Sequence, residues 1–212
     1  MKTPQELLLA REIPLIVLTE QQYQAPFTVQ VTDTAGHAVA NQKVTISAVP
    51  ISYVKGSYRI IDSNGDGTND SWAIEDPNIP GAESMQCARE DLNQNGILDA
   101  GEDINNSGQL EPTNSATVAS HPTHTPTISS PGSLLTDING LGYFSLIYPK
   151  SEALWSTVRI TASIKATGTE SAETFDYYLL VLKSDAESID IMPPGGVIAS
   201  NYGTVLDCSD RN

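Results

Sequence analysis

Phe27-Thr-Val-Gln-Val-Thr32 runs into Asp33-Thr-Ala-Gly-His37, and a few residues on the chain reads Lys43-Val-Thr-Ile-Ser-Ala48. Apolar and polar side chains alternate in the two outer segments. A period of two puts every second side chain on one face, so each segment predicts a strand with one face buried. Asp33 to His37 is made of turn formers and joins them. The same signal returns downstream in Tyr143-Phe-Ser-Leu-Ile-Tyr148, Val158-Arg-Ile-Thr-Ala-Ser-Ile164 and Phe175-Asp-Tyr-Tyr-Leu-Leu-Val-Leu182. Thr136-Asp-Ile-Asn-Gly140 carries an Asn-Gly hairpin signal. Upstream, Tyr53 to Ile61 predicts another strand. Ile13 to Leu18 predicts a strand in which Pro14, having no N–H to give a ladder, lies at an edge or at the strand's start. The stretch from Pro4 to Leu9 reads as a short helix or a lead-in strand. Short strands parted by turn signals predict an all-β sandwich. Its expected core is Val29, Val31, Val44, Ile46, Phe144, Leu146, Ile160 and Leu180.

Residues 62–133 break the pattern. Asn, Asp, Gly, Pro, Ser and Thr dominate there, with almost no hydrophobic period. So long a loop inside a compact domain is functional or disordered. The expected organisation is therefore a lead-in segment over 1–24, a sandwich over 25–182 interrupted by the acidic insertion 62–133, and a tail over 183–212. Trp72 is expected to anchor part of the insertion by packing.

Within the insertion, Asp91, Asn93, Asn95, Asp99 and Glu102 stand at positions one, three, five, nine and twelve of a loop whose sixth residue is Gly96. That is the spacing of a calcium loop. A hard divalent cation takes six to eight oxygens, so the chain must curl around it, and the sharp turn falls on glycine. The backbone carbonyl of Ile97 would serve from position seven, and Glu102 would give two oxygens. The pattern restarts at once: Asp103, Asn105, Ser107, Gly108 and Glu111 hold positions one, three, five, six and nine, with Gln109 at seven. Position twelve there is Asn114, a weaker donor. A third match lies upstream in Asp62, Asn64, Asp66, Gly67, Thr68 and Asp70. Its twelfth residue is Ala73, so its closing carboxylate is missing or comes from Glu75 or Asp76. Asn, Asp and Gly favour turns anyway. One such loop could be a plain acidic turn; a full match beside two partial ones points to Ca2+.

Charge agrees with this. The chain has 26 acidic and 11 basic residues, a net charge of −15. No lysine lies between Lys55 and Lys150, while twelve carboxylates fall between Asp62 and Glu111. Like charges at that density repel, and cations would offset them. The same balance excludes nucleic acid and anionic membrane surfaces as partners, since both need clustered Lys and Arg. No run is long enough for membrane insertion, and no signal peptide is visible. The expectation is an excerpt of a longer exported protein, with Met1 an added start. Cys87 and Cys208 are either two free thiols or one disulfide. Calcium loops suggest an extracellular setting, which favours the disulfide.

The segments around the insertion resemble bacterial immunoglobulin-like group 1 domains, the modules of intimin and invasin. Val29-Gln-Val-Thr-Asp through Val44-Thr-Ile46 is similar to their opening, where a Val-Thr-Asp, a Gly-Asn-Pro-Val and a Val-Thr-Phe segment follow one another. Thr136-Asp-Ile-Asn-Gly-Leu-Gly-Tyr-Phe144 resembles their Thr-Asp-x-x-Gly-x-Ala, and Val158-Arg-Ile-Thr-Ala162 their Val-x-Val-Thr-Ala strand. The match covers about 25–50 and 134–182. His37-Ala38 stands for Asn-Pro, Gly142 for Ala, and the insertion is extra. The insertion itself resembles thrombospondin type 3 calcium repeats. No exiting helix fits between the abutting loops, so it is not a helix-loop-helix hand. The resemblance implies an immunoglobulin-like sandwich from a surface adhesin or stalk, with no catalytic residues.

An enzyme is not expected. His121-Pro-Thr-His124 has a metal-like separation but reads as a plain surface loop, and there is no phosphate-cradling loop or nucleophile elbow. The expected function is a calcium-binding, extracellular, structural or adhesive module. Its expected partners are calcium ions and neighbouring immunoglobulin-like domains or copies of itself. Alternatives are a module recognising a protein or glycan through the insertion, or a filament subunit. Tyr53, Tyr58 and Trp72 would serve recognition if exposed, and core packing if not.

Overall fold

In the computed structural model, residues 5–78, 81–113, 115–129, 132–166 and 169–212 are described. With 43% of residues in strand and 4% in helix, the chain is all-β and its sheets are antiparallel. It forms two compact units. One takes Met1–Val49, Ala116–Tyr148 and Arg159–Tyr177; the other takes Pro50–Ser115, Pro149–Val158 and Tyr178–Asn212. Among the described residues no helix is long and apolar enough to cross a membrane.

The first unit is a sandwich. One sheet runs β1 (Gln5–Arg11), β3 (Gln22–Asp33), β10 (Leu141–Pro149) and β8 (Thr117–Ala119), with β2 (Ile16–Thr19) also paired to β3. The lead-in segment is thus a strand, in register from Gln5 opposite Asp33 to Arg11 opposite Phe27. The other sheet holds β12 (Thr169–Tyr178), β11 (Ser156–Ala166) and the first half of β4 (Lys43–Gly56), whose far edge is taken by β9 (Ser133–Leu135). Alternation buries Val29, Val31, Phe144 and Leu146 from one sheet and Val44, Ile46 and Ile160 from the other. Phe27 joins the layers. Its ring stacks on Phe144 at 5.3 Å and meets Tyr177 edge-on at 5.2 Å. Each fully buried apolar side chain of this size contributes about 1.5–3 kcal/mol. Leu180 is only half-buried, whereas Leu179, two residues after Tyr177 and already in the second unit, is fully buried.

The Asn-Gly turn forms between Asp137 and Leu141. Asp137 Oδ1 accepts the N–H groups of Asn139 and Leu141, both at 2.8 Å. Gly140 has φ +73°, and a Cβ there would sit 2.4 Å from the Val31 carbonyl oxygen. Gly140→Ala should therefore cost more than the about 1–2 kcal/mol that left-handed backbone alone costs an L-residue, since the Val31 backbone must also move, read as a lower urea midpoint.

The second unit contains the rest of β4, with β7 (Ser84–Ala88) pairing Ser52 to Gly56, and a hairpin of β5 (Arg59–Ile61) and β6 (Ser71–Ala73). The strands expected at 43–48 and 53–61 are in fact one long β4 and the short β5. Pro50 falls between the β9-paired and the β7-paired stretches of β4. Tyr53, Tyr58, Cys87, Trp155 and Tyr202 form the core, with Trp72 packed at its margin. Tyr53 and Tyr58 are thus core residues and not an exposed aromatic site. Cys87 is bonded to Cys208, with Cα atoms 5.6 Å apart. Apart from α1 (Lys183–Ala186), residues 183–212 lack regular structure yet are packed: Ser200 donates to the Val54 carbonyl at 2.7 Å, and Tyr202 is buried. Span 62–133 is likewise more than one loop, since β6, β7, β8 and the turn into β9 lie in it.

Candidate metal centre

The three acidic loops all belong to the second unit. The first is the loop of the β5–β6 hairpin, closed where Ile61 pairs with Ser71. The other two follow β7 back to back.

Their hydrogen bonds repeat position by position. The sixth-position glycine N–H donates to the first aspartate: Gly67 to Asp62 Oδ2 at 2.7 Å, Gly96 to Asp91 Oδ2 at 3.0 Å, and Gly108 to Asp103 Oδ2 at 3.0 Å. All three glycines have positive φ, between 72° and 89°, which no other residue adopts as readily. The fifth-position N–H bonds the first and third side chains together: Asp66 to Asp62 and Asn64, Asn95 to Asp91 and Asn93, Ser107 to Asp103 and Asn105. The seventh-position N–H reaches the fifth side chain, from Thr68 to Asp66, Ile97 to Asn95 and Gln109 to Ser107. The loops thus gather the side chains at positions one, three and five around their own backbone.

Closure is where sequence and structure part. Glu102 is buried and closes its own loop: Oε1 accepts Leu92 N at 3.0 Å and Asn93 N at 3.4 Å, and Oε2 accepts Asp99 N at 3.1 Å. Those donors are positions two, three and nine. Glu90, which the sequence reading did not single out, does the same for the next loop. Its Oε1 accepts Ile104 N at 3.0 Å and Asn105 N at 3.3 Å, and its Oε2 accepts Glu111 N at 3.0 Å. These too are positions two, three and nine. The backbone repeats the relation: Glu102 N donates to the Asp99 carbonyl, and Glu90 N to the Glu111 carbonyl. Glu90 is fully buried. It therefore stands where a twelfth-position glutamate would, while Asn114 lies outside the described residues. The signal was present in the sequence, since Glu90 precedes Asp91 as Glu102 precedes Asp103.

Among the described residues the hairpin loop has no such partner. Asp70 Oδ1 accepts Ser63 N at 2.9 Å, so position nine closes part of it. Glu75 instead pairs with Arg59 at 3.0 Å and accepts Glu83 N, and Asp76 accepts Asn78 N. Neither is hydrogen-bonded to the loop, and of the two alternatives the sequence leaves, a missing closing carboxylate is the one that agrees with these bonds.

Electrostatics differ between surface and interior. Asp62 is held below the usual carboxylate range, chiefly by the Gly67 N–H. Asp99 is lowered by the Asn93 and Asn95 side-chain amides. Burial raises Glu90, against the N–H groups that bond it, and Asp103 adds to the rise. Burial also raises Glu111, helped by Glu90 and opposed by Asn105 and Lys55. Two carboxylates made costly to ionise together are what a nearby cation would relieve. The donor set is all oxygen, which suits a hard ion such as calcium and offers nothing to a soft one.

The second candidate lies in the first unit. Glu12, His121 and His124 offer ligand atoms within 4.8 Å of one another. The His121 side chain is only 2% exposed, so it is not the plain surface loop residue the sequence suggests. Its Nδ1 lone pair accepts N–H groups from Thr123 at 3.2 Å and His124 at 2.9 Å. In the neutral ring Nε2 therefore carries the proton, toward Glu12 Oε2 at 3.3 Å. Held this way, His121 has no free lone pair for a metal. No family model, curated protein or solved structure matches the chain.

Proposed function

We propose that this chain is a non-enzymatic calcium-binding module of an extracellular or cell-surface protein, structural or adhesive in role. The observation that carries it is the repeated bonding of three loops, two of them closed by a buried glutamate at the same three donors. Calcium would be held by Asp91, Asn93, Asn95, Asp99, Glu102 and the Ile97 carbonyl in one loop, and by Asp103, Asn105, Ser107, Glu111, Glu90 and the Gln109 carbonyl in the next. Asp62, Asn64, Asp66, Asp70 and the Thr68 carbonyl form a more open third site. The ion would supply the positive charge that this stretch lacks. The Cys87–Cys208 disulfide supports an oxidising compartment. The all-β sandwich and the Thr136–Phe144 motif are in keeping with an immunoglobulin-like group 1 module. Its partners would be neighbouring domains, copies of itself, or a protein or glycan ligand.

Calcium titration by calorimetry tests the reading. At a concentration 100 times its dissociation constant, calcium should add about 2.7 kcal/mol of stability for each site it fills. Hydrogen exchange in chelator should show amides of 91–111 losing protection while those of Val158 to Ile164 keep it. The loops have few apolar side chains to offset their ordering entropy, whereas that strand is buried. No calorimetric heat and an unchanged melting curve in chelator would sink the proposal.

A further inference from the structure

We propose that His121 is an acid-sensitive latch: as a neutral imidazole it fastens the segment 120–128 onto the first sheet, and a second ring proton forces the turn at 121–124 open. The segment follows β8 and is held at several points. Gln24 Nε2 donates to the Ser120 carbonyl at 3.1 Å, Tyr143 N donates to the Pro126 carbonyl at 3.0 Å, and His121 N donates to Thr127 Oγ1 at 2.5 Å. At its centre the His121 ring takes the Thr123 and His124 N–H groups on Nδ1 and turns Nε2 to Glu12. Glu12 is itself positioned by its N–H to Pro26 and by the Thr28 hydroxyl.

An imidazolium has two N–H donors and no acceptor. A proton on Nδ1 would point at two backbone N–H groups that also need an acceptor. Ring and turn cannot both stay, and the side chain is too buried for water to mediate. The titratable groups around it are Glu12 just past β1, His124 in the same loop, and Tyr143 on β10, whose ring meets His121 edge-on at 5.7 Å and stacks with His124 at 4.8 Å. Glu12 favours the cation; burial and His124 oppose it. Burial dominates and lowers His121 below the ordinary histidine range. A lowered folded-state value means the unfolded ring binds its proton first. The latch is therefore at full strength above about pH 6.5 and is lost as pH falls from there through the folded-state value.

The test is native-state hydrogen exchange between pH 7 and 5, corrected for intrinsic rates, on the intact chain and on His121→Asn. Asparagine keeps an acceptor for the two N–H groups and does not titrate. In the parent, protection of the Thr123 and His124 amides should fall by up to about tenfold per pH unit below pH ~6.5, the slope of a one-proton linkage. In His121→Asn it should stay flat. Nitrogen shifts of the parent's ring at pH 7 should show the proton on Nε2. A flat parent profile, an equal loss in the variant, or a proton on Nδ1 would each overturn the latch.

Discussion

Glu90→Gln should weaken calcium at the Asp103 loop about tenfold or more while leaving the Asp91 loop near its original affinity; a charged hydrogen-bonding group is worth about 1.5–3 kcal/mol, and tenfold is 1.4. Glu102→Gln should do the reverse. The crossing follows from closure: Glu90 bonds positions two, three and nine of the loop that begins after Glu102, and Glu102 those of the loop that begins after Glu90. Two-site calorimetry reads it. Glu90→Ala should be worse in a different way. It leaves the N–H groups of Ile104, Asn105 and Glu111 without their acceptor, and orphaned buried donors cost about 1–3 kcal/mol each. Relief of a buried carboxylate and entry of water into the smaller site reduce that sum to about 3–5 kcal/mol in the metal-free protein. Glu90→Gln keeps one acceptor oxygen but turns its NH2 toward at least one of these N–H groups, so it should cost about 1–3 kcal/mol in the metal-free protein, less than Glu90→Ala. If Glu90→Gln lowered affinity at the Asp91 loop instead, the assignment of closing residues would be wrong.

What the sequence made legible follows from which interactions are local. Val29-Gln-Val and Val158-Arg-Ile-Thr alternate, so their buried faces could be read residue by residue. Tyr177-Tyr-Leu-Leu-Val-Leu182 has no polar residue to mark its phase, and the choice between Leu179 and Leu180 was made by packing. Ser84-Met-Gln-Cys-Ala88 has no β-branched side chain, so β7 carries little intrinsic signal and exists because Tyr53 and its neighbours on β4 supply a partner. The loop ligands were legible because a cation site repeats a fixed local spacing. Glu90 was less so, because its donors lie 14 to 21 residues away. The partition into two units was not legible, because it cuts through β4, β10, β11 and β12 within continuous strand sequence.

Reduction of the Cys87–Cys208 bond should cost the second unit about 4–5 kcal/mol, the loop-closure entropy expected for so long a ring. The two cysteines are 121 residues apart in sequence. Cys87 is buried among Tyr53, Val54, Trp155 and Tyr202 on β7, and Cys208 brings the C-terminal turns onto that core. Other contacts oppose the loss. The buried Lys55 ammonium donates to the carbonyls of Asp207, at 2.9 Å, and Asp210, and Ser200 and Tyr202 stay anchored in the core. They tie the same segment in the folded state but do nothing to shorten the unfolded ring, so they cannot replace the entropic part. Cys87→Ala/Cys208→Ala is the cleaner comparison, since serine would put a hydroxyl into an apolar site. Urea unfolding of parent, reduced parent and double variant should give a common lower midpoint for the last two. Exchange should quicken first at Ser200, whose N–H and O–H bond the Gly56 and Val54 carbonyls, and at Tyr202 and Gly203, whose N–H groups bond Ser200. A midpoint shift of less than about 1 kcal/mol would mean that Lys55 and Tyr202 already confine the unfolded chain, and the entropic account of this bond would fail.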